Sequence, residues 1–356
     1  MRIAIVSSGN SIHVKKIANY LVENGNDVTL ITLKNHKNLL NEFNSKINIK
    51  ILPFKSPYGY YLNALFLRNI IKKGNYDIVN SHYASGYGTL VRLANCHPLV
   101  LAVFGSDVYE YPYKSDRKMN LIIKNLQNAD TITSTSNIMA EEVKKFYNKK
   151  EIYVTPFGVD INMFNQSKRS EKDIFIFGTI KKIEYKYGID ILIKSYAEFR
   201  KKFTKCKTKL VIYGRGSATA DLKKLSNELG ISKFVEFKGF IPNEQVPKAL
   251  SEMDVACFPS RSESFGVAAV EAMACGIPVI ASNASGFTEV IDNNKTGILV
   301  QKEDVNALYE AMKKIYLMPQ NDRNSMGNNG IERVRKLYNF ENNMENYAEI
   351  LQHTIK

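Results

Sequence analysis

"DVACFPSRSESFGVAAVEAMACGIPVIAS", residues 254–282, sets two apolar runs on either side of one small-residue helical pattern. "DVACFPS" reads as a buried strand and "RSESFG" as a loop. "VAAVEAMAC" is a helix stopped by Gly276 with Pro278 just beyond, and "IPVIAS" is the next strand. Strand, helix and strand in succession is the repeating unit of a parallel sheet covered by helices. The alternation extends towards the N-terminus through "IFIFGTI", "IDILIKSYAEFRKK", "KLVIYG" and "FVEFKG". Earlier still, "RIAIVSS" leads into "IHVKKIANYLVENG", whose apolar residues Ile12, Ile17, Leu21 and Val22 mark one helix face and whose Gly25 ends it. "DVTLITL", "YDIVNSH", "LVLAVFG", "TITSTS" and "IYVTPFG" follow as strands. Between the two series lies the polar stretch "NQSKRSEKD", residues 165–173, the candidate linker. A chain of 356 residues with 44% apolar content exceeds one compact core. Two consecutive doubly wound α/β domains facing across a cleft are expected, with ligands beyond the carboxyl ends of the strands.

Composition removes several classes. Every apolar run ends well short of the roughly 20 residues needed to span a bilayer. The start, "MRIAIVSSG", has the pattern of a first strand and not of a secretion signal, so a cytoplasmic location is expected. Cysteines at 96, 206, 257 and 275 are too scattered for a metal site and too few for a disulfide framework, which leaves reduced, mostly buried thiols. The formal charge is +14, and residues 1–160 carry 20 Lys plus Arg against 12 Asp plus Glu. Such a balance suits an anionic partner, whether a nucleotide, a phosphopolymer, nucleic acid or an acidic membrane surface; a lysine-rich solvated surface accounts for it equally.

Glu263 and Glu271 stand eight positions apart, one in the loop and one inside the helix, which separates them by roughly 10 Å. That is too far for the paired carboxyls of a retaining glycosidase, which need about 5 Å. Each can instead hold a sugar diol, one on a ribose and one on a hexose, while amides of Phe265, Gly266 and Val267 at the helix start bind phosphate or hydroxyl oxygens. A solvated loop glutamate and a helix glutamate beside a lysine would give the same spacing.

"PSRSESFGVAAVEAMACGIPVIAS" resembles the E-x7-E region of retaining glycosyltransferases of the GT-B fold, those of the fourth sequence family. "NSIHVKKIANYLVENGNDVTLIT", "DIVNSHYASGYG", "FGSDV", "TPFGVD", "YGIDILIKSY" and "TGILVQKEDVNAL" agree in the family's order. The resemblance covers nearly the whole chain. It implies a Rossmann-like acceptor domain over residues 1–165, a Rossmann-like donor domain over 166–335, and a C-terminal helix, 336–356, that packs back on the first domain. It implies that Glu271 binds the nucleotide ribose, that Glu263 holds the donor hexose, and that the backbone of Ser264, Phe265 and Gly266 contacts that hexose. Relatives place an Arg after the first strand of the second domain and a Lys before the next helix. Here Thr179 takes the arginine position, Lys186 matches the lysine, and Lys181 or Lys182 replaces the missing cation. Gly9 and Asn10 follow strand one, where relatives bring a glycine-rich turn to the diphosphate. Phe104 replaces a frequent His. Asp107 is left to face the reacting carbon or an acceptor hydroxyl, or to cap a turn, and His82 ends a strand at the cleft edge as an acceptor-side or a structural residue.

The implied activity is metal-independent retaining transfer of a hexose or N-acetylhexosamine from a nucleotide sugar, UDP by family habit, with no cofactor. The implied acceptor is a hydroxyl of a glycan, lipid-linked or polymer molecule in bacterial surface polysaccharide synthesis. A transferase acting on a phosphopolymer or nucleic acid is one alternative; an NAD enzyme is another, suggested by "GRGSAT" at 214–219, whose third position is Thr219. No recognition fold or stacking motif supports a nucleic-acid-binding module. "YGYYLNALFLRNIIKK", residues 58–73, is either an interfacial helix touching acidic membrane or a crossover helix buried on the sheet.

Overall fold

The computed structural model describes residues 1–165 and 173–355, so the candidate linker lies almost wholly outside the described residues. The chain forms two compact units, Met1–Phe157 with Glu341–Lys356, and Gly158–Phe340. Divisions expected at 165/166 and 335/336 thus fall at 157/158 and 340/341. Val159 pairs with Asn339, and Gly158 lies too close to Phe340 to accommodate a Cβ, which keeps residues 158–165 with the second unit.

The first unit holds a seven-stranded parallel sheet in the order β3-β2-β1-β4-β5-β6-β7. Its strands are β1 Arg2–Val6, β2 Asp27–Leu33, β3 Asn48–Leu52, β4 Ile78–His82, β5 Leu99–Val103, β6 Thr131–Ser134 and β7 Ile152–Val154. The second unit holds a six-stranded parallel sheet, β10-β9-β8-β11-β12-β13. These strands are β8 Phe175–Ile180, β9 Thr208–Tyr213, β10 Val235–Gly239, β11 Val255–Phe258, β12 Val279–Ser282 and β13 Gly297–Val300. The opening stretch of the sequence is therefore β11, the helix Val267–Ala274 and β12, with Ala256 opposite Val279 in parallel register.

Continuous apolar runs become central strands because both faces of a helix-covered parallel sheet are buried. All five residues of β4 and of β5 are buried, as are all four of β11 and of β12. The helix Phe340–Ile355 completes the first unit: Asn80 on β4 donates to the Tyr347 hydroxyl at 2.7 Å, inside the core. The four cysteines are free thiols, and Cys96, Cys257 and Cys275 are buried. Among the described residues no helix is long and apolar enough to cross a membrane.

In each sheet the strand order reverses once, between β1 and β4 in the first unit and between β8 and β11 in the second. At such a switch point adjacent loops leave in opposite directions and open a crevice beyond the carboxyl ends of the strands.

Candidate active site

The second unit's switch point gathers charge. Lys181 leaves β8 and Glu263 lies in the loop after β11; Lys181 Nζ stands 2.6 Å from Glu263 Oε2, with the two side chains 14% and 12% exposed. The Tyr187 ring lies beneath two ammonium groups, that of Lys181 at 4.9 Å from its centroid and that of Lys186 at 5.0 Å. Aromatic faces attract cations at this range, so the ring holds both ammonium groups beside it. Thr179, at the position expected for an arginine, points into the core of β8 at 1% exposure.

Arg261 fixes the geometry. Its guanidinium makes two parallel bonds to Asp190, each 2.9 Å, a third to the Tyr185 carbonyl at 2.6 Å and a fourth to Glu303 at 3.0 Å. Its own amide donates to the Lys186 carbonyl at 2.8 Å. The loop carrying Glu263 is thereby tied to the loop carrying Lys186. Burial pushes the Asp190 carboxyl up, but the bonds from Arg261 outweigh it and hold the group below its usual range.

The loop after β9 forms the other wall. The Lys181 amide donates to the Tyr213 carbonyl at 3.0 Å and the Ile183 amide to the Arg215 carbonyl at 3.0 Å. Gly214 has φ +136°, and a Cβ there would sit 1.8 Å from the Lys181 carbonyl oxygen, so only glycine lets this wall approach. Between the loops opens a cavity of about 330 Å³ lined by Ile180, Lys181, Lys182, Gly214, Arg215, Phe240 and Ile241. Arg215 lies over the exposed Phe240 ring, 5.0 Å from its centroid.

Glu263 and Glu271 flank the start of the helix Val267–Ala274. Gly266 opens it at φ +103°, and Phe287 packs where a side chain would project, 2.8 Å from a Cβ. The Glu263 carbonyl accepts from the Gly286 amide at 3.0 Å. Phe265 is 2% exposed and edge-on to Tyr338 at 5.6 Å, so its side chain anchors the loop. Ser264, Val267 and Glu271 are half-buried. Burial and the charge of Glu271 push the Cys275 thiol up to about 12.

The first unit's switch point has different chemistry. A cavity of about 300 Å³ is lined by Ser8, Asn10, Ser11, His36, Tyr60, Tyr83, Ser85, Gly86 and Tyr87. His36 Nδ1 pairs with the Tyr87 hydroxyl at 2.8 Å, and burial lowers the His36 pKa. Tyr83 has φ +71°, a left-handed conformation costly for an aromatic residue. Its amide bond to Ala102 and its carbonyl bond from Gly88 hold it there.

Two family descriptions match the chain: glycosyl transferases group 1 over residues 159–333, and glycosyl transferase 4-like over residues 2–136. Together they span most of the chain, which belongs to the glycosyltransferases. An uncharacterised glycosyltransferase of Methanocaldococcus jannaschii is 26% identical to it, across 96% of this chain and 95% of that protein. A D-inositol 3-phosphate glycosyltransferase of Corynebacterium jeikeium is 26% identical across 68% of this chain and 64% of its own length. Sucrose-phosphate synthase from Thermosynechococcus elongatus superposes with a TM-score of 0.85 at 22% identity, covering 99% of this chain and 98% of that one. The Anabaena protein HepE bound to UDP superposes with a TM-score of 0.83 at 16% identity, covering 99% and 100%. These likenesses establish the GT-B fold.

In this glycosyltransferase, Lys181 pairs with Glu263, Lys186 shares the Tyr187 ring with Lys181, and Lys182 lines the adjoining cavity. Two first-unit expectations, the acceptor-side reading of His82 and the substrate-facing reading of Asp107, give way to the structural alternatives left open for both. His82 is fully buried, stacked on Phe104 with centroids 4.8 Å apart and bonded through Nε2 to Tyr347 at 3.3 Å. It belongs to the core and not to an exposed edge. The Asp107 carboxylate is 1% exposed and accepts from the amides of Ala84 at 2.8 Å, Phe104 at 3.1 Å and Gly105 at 2.8 Å. With both oxygens engaged, it organises two loops as a cap and does not face a substrate. Gly9 is glycine because the His36 carbonyl would lie 2.6 Å from a Cβ, and Asn10 accepts from the Asn38 amide at 2.6 Å. In "GRGSAT" the Gly214 and Gly216 backbones pack on Lys181 and Ile183, and family membership sets the NAD alternative aside. Sequence reasoning missed Arg261, Tyr83 and the Arg215–Phe240 wall; a bulky charge two residues before Glu263 was the one available signal.

Proposed function

We propose that this chain transfers a hexose or N-acetylhexosamine, with retention, from a UDP-sugar to a hydroxyl of a glycan, lipid-linked or polymer acceptor of bacterial surface polysaccharide. The donor goes to the second unit and the acceptor to the first. The observation that carries this reading is the Lys181–Glu263 pair at the β8/β11 switch point. The pair places one cation for a diphosphate and one carboxylate for sugar hydroxyls side by side. The solved structures of HepE with UDP and with UDP-glucose lend the choice of nucleotide.

In this mechanism the base enters the Arg215–Phe240 cavity, Glu271 accepts from the ribose hydroxyls, and Glu263 accepts from those of the hexose. Lys181, Lys186 and the amides of the helix start receive the diphosphate, whose negative charge grows as the bond to the anomeric carbon breaks. The acceptor oxygen forms its bond on the face the diphosphate leaves, and its proton passes to the departing phosphate oxygen. No protein nucleophile and no metal takes part. A hydroxyl-lined cavity with neutral walls in the first unit suits a polyhydroxyl acceptor.

Thermal-shift titration with UDP-, GDP- and ADP-sugars tests the donor assignment, because a ligand that binds only the folded state raises the melting temperature. The expected result is a shift with UDP-sugars that Glu271→Ala reduces. A larger shift with GDP-sugars would change the nucleotide; no shift with any of them would overturn the site.

A further inference from the structure

The helices Gly59–Leu62 and Ala64–Gly74 connect β3 to β4, where a doubly wound sheet would bury a crossover helix. Only Leu67 and Gly74 of the longer helix are buried. Tyr58, Tyr61, Leu62, Leu65 and Phe66 are 75%, 52%, 56%, 69% and 47% exposed, and their helical spacing puts them along one outward stripe. Isolated exposed apolar residues are ordinary, but a contiguous stripe of five is not. The stripe is built rigidly. Phe66 meets Phe54 edge-on at 5.9 Å, and the buried Asn63 side chain bonds both the amide and the carbonyl of Phe54, at 3.2 and 2.9 Å.

The charge around this stripe has a single sign. From Phe43 to Tyr76 the chain has no Asp or Glu and carries Lys46, Lys50, Lys55, Arg68, Lys72 and Lys73. Lys55, Lys72 and Lys73 are exposed beside the apolar residues. A second copy of the same face would oppose cation to cation with no acid to pair. An anionic lipid surface complements both features at once: tyrosines and leucines enter the headgroup boundary, and lysines meet the lipid phosphates.

We infer that the face formed by Tyr58, Tyr61, Leu62, Leu65 and Phe66 with Lys72 and Lys73 docks this protein on an anionic membrane surface. Docking is peripheral and needs no spanning helix. The inference stands apart from the proposed chemistry, because it is read by binding alone.

The test is co-sedimentation of the full chain with vesicles of phosphatidylcholine alone or mixed with phosphatidylglycerol, at low and high salt. Capture is expected only by the mixed vesicles, weakening as salt screens the lysines. Lys72→Glu with Lys73→Glu is expected to weaken capture about tenfold or more. Leu62→Ser with Leu65→Ser, at positions exposed enough to leave the melting temperature unchanged, is expected to weaken it about tenfold as well. Lys223→Glu with Lys224→Glu, on the exposed face of the helix Thr219–Glu228, controls for overall charge and should have little effect. Equal capture by neutral vesicles, an equal loss from the control pair, or no loss from the leucine pair would each overturn the inference. So would a leucine pair that changes oligomeric state in solution while vesicle capture persists, since the face would then join copies of the chain.

Discussion

The two units solve one topological problem twice and fill the result with opposite chemistry. Each places a crevice where its strand order reverses, β1/β4 in one and β8/β11 in the other. The first crevice is lined by hydroxyls, amides and a histidine that burial disfavours charging. The second gathers Lys181, Lys182, Lys186, Arg215 and Glu263. Topology therefore decides where a ligand binds, and side chains decide which ligand. A neutral polyol suits the first surface and a sugar diphosphate the second.

Substitutions sharpen that contrast. Glu263→Ala should lower turnover a hundredfold or more, about 3 kcal/mol of transition-state stabilisation, with UDP affinity changed only a few-fold. Steady-state rates with UDP titration check this, and equal losses in both would merge the sugar and nucleotide roles. Arg261→Lys should lower stability by about 2 kcal/mol, because one ammonium cannot reproduce the paired bonds to Asp190 together with those to Tyr185 and Glu303. Denaturant unfolding measures it. Glu271→Ala should weaken UDP-sugar binding about tenfold, near 1.4 kcal/mol, by calorimetry.

Salt separates the charged surface from neutral contacts more gently. UDP affinity should fall a few-fold between low and high ionic strength while uridine affinity stays level, since screening acts on the diphosphate alone. A separate effect, on stability and not on binding, concerns His82. Burial lowers its folded pKa to about 3 from the ordinary imidazole value of 6.5, so the unfolded chain takes up the proton first as pH falls. His82 therefore stabilises the fold above about pH 6.5 and loses that contribution as pH drops from there towards 3. Replacing it, as in His82→Phe, should flatten the decline of melting temperature over that window, and a parent profile already flat would remove His82 from the account.

Much of this was legible along the chain. Central strands such as β4, β5 and β11 are largely apolar runs, and the helix Ile12–Glu23 announces itself by its spacing and its Gly25 stop. β3 escaped, because "NIKIL" lies at the sheet edge with Lys50 half-buried and Ile51 exposed, so its pattern is not that of a buried strand. Lys181, Lys186 and Glu263 were found through the motif they resemble. For Asp107 and His82 a ligand-facing and a structural reading both stayed open, because a polar residue at a strand end looks the same whether it turns to solvent or is taken up by amides and aromatic rings. Arg261 was overlooked because its partners Asp190 and Glu303 are remote in sequence.

The amino-acid order alone determined the alternation of strand and helix, two parallel sheets, a resemblance to a family of catalysts, and the loop and helix that carry the two glutamates. These follow from local periodicity and, for the family, from motif resemblance, both of which survive in a one-dimensional reading. Only the tertiary structure decided that Lys181 meets Glu263 across 82 positions, that Gly214 brings a second loop against it, and that Asp107 holds backbone. Such contacts depend on β8 lying beside β11 and β9, and strand order is a long-range consequence of packing that no single stretch of residues contains.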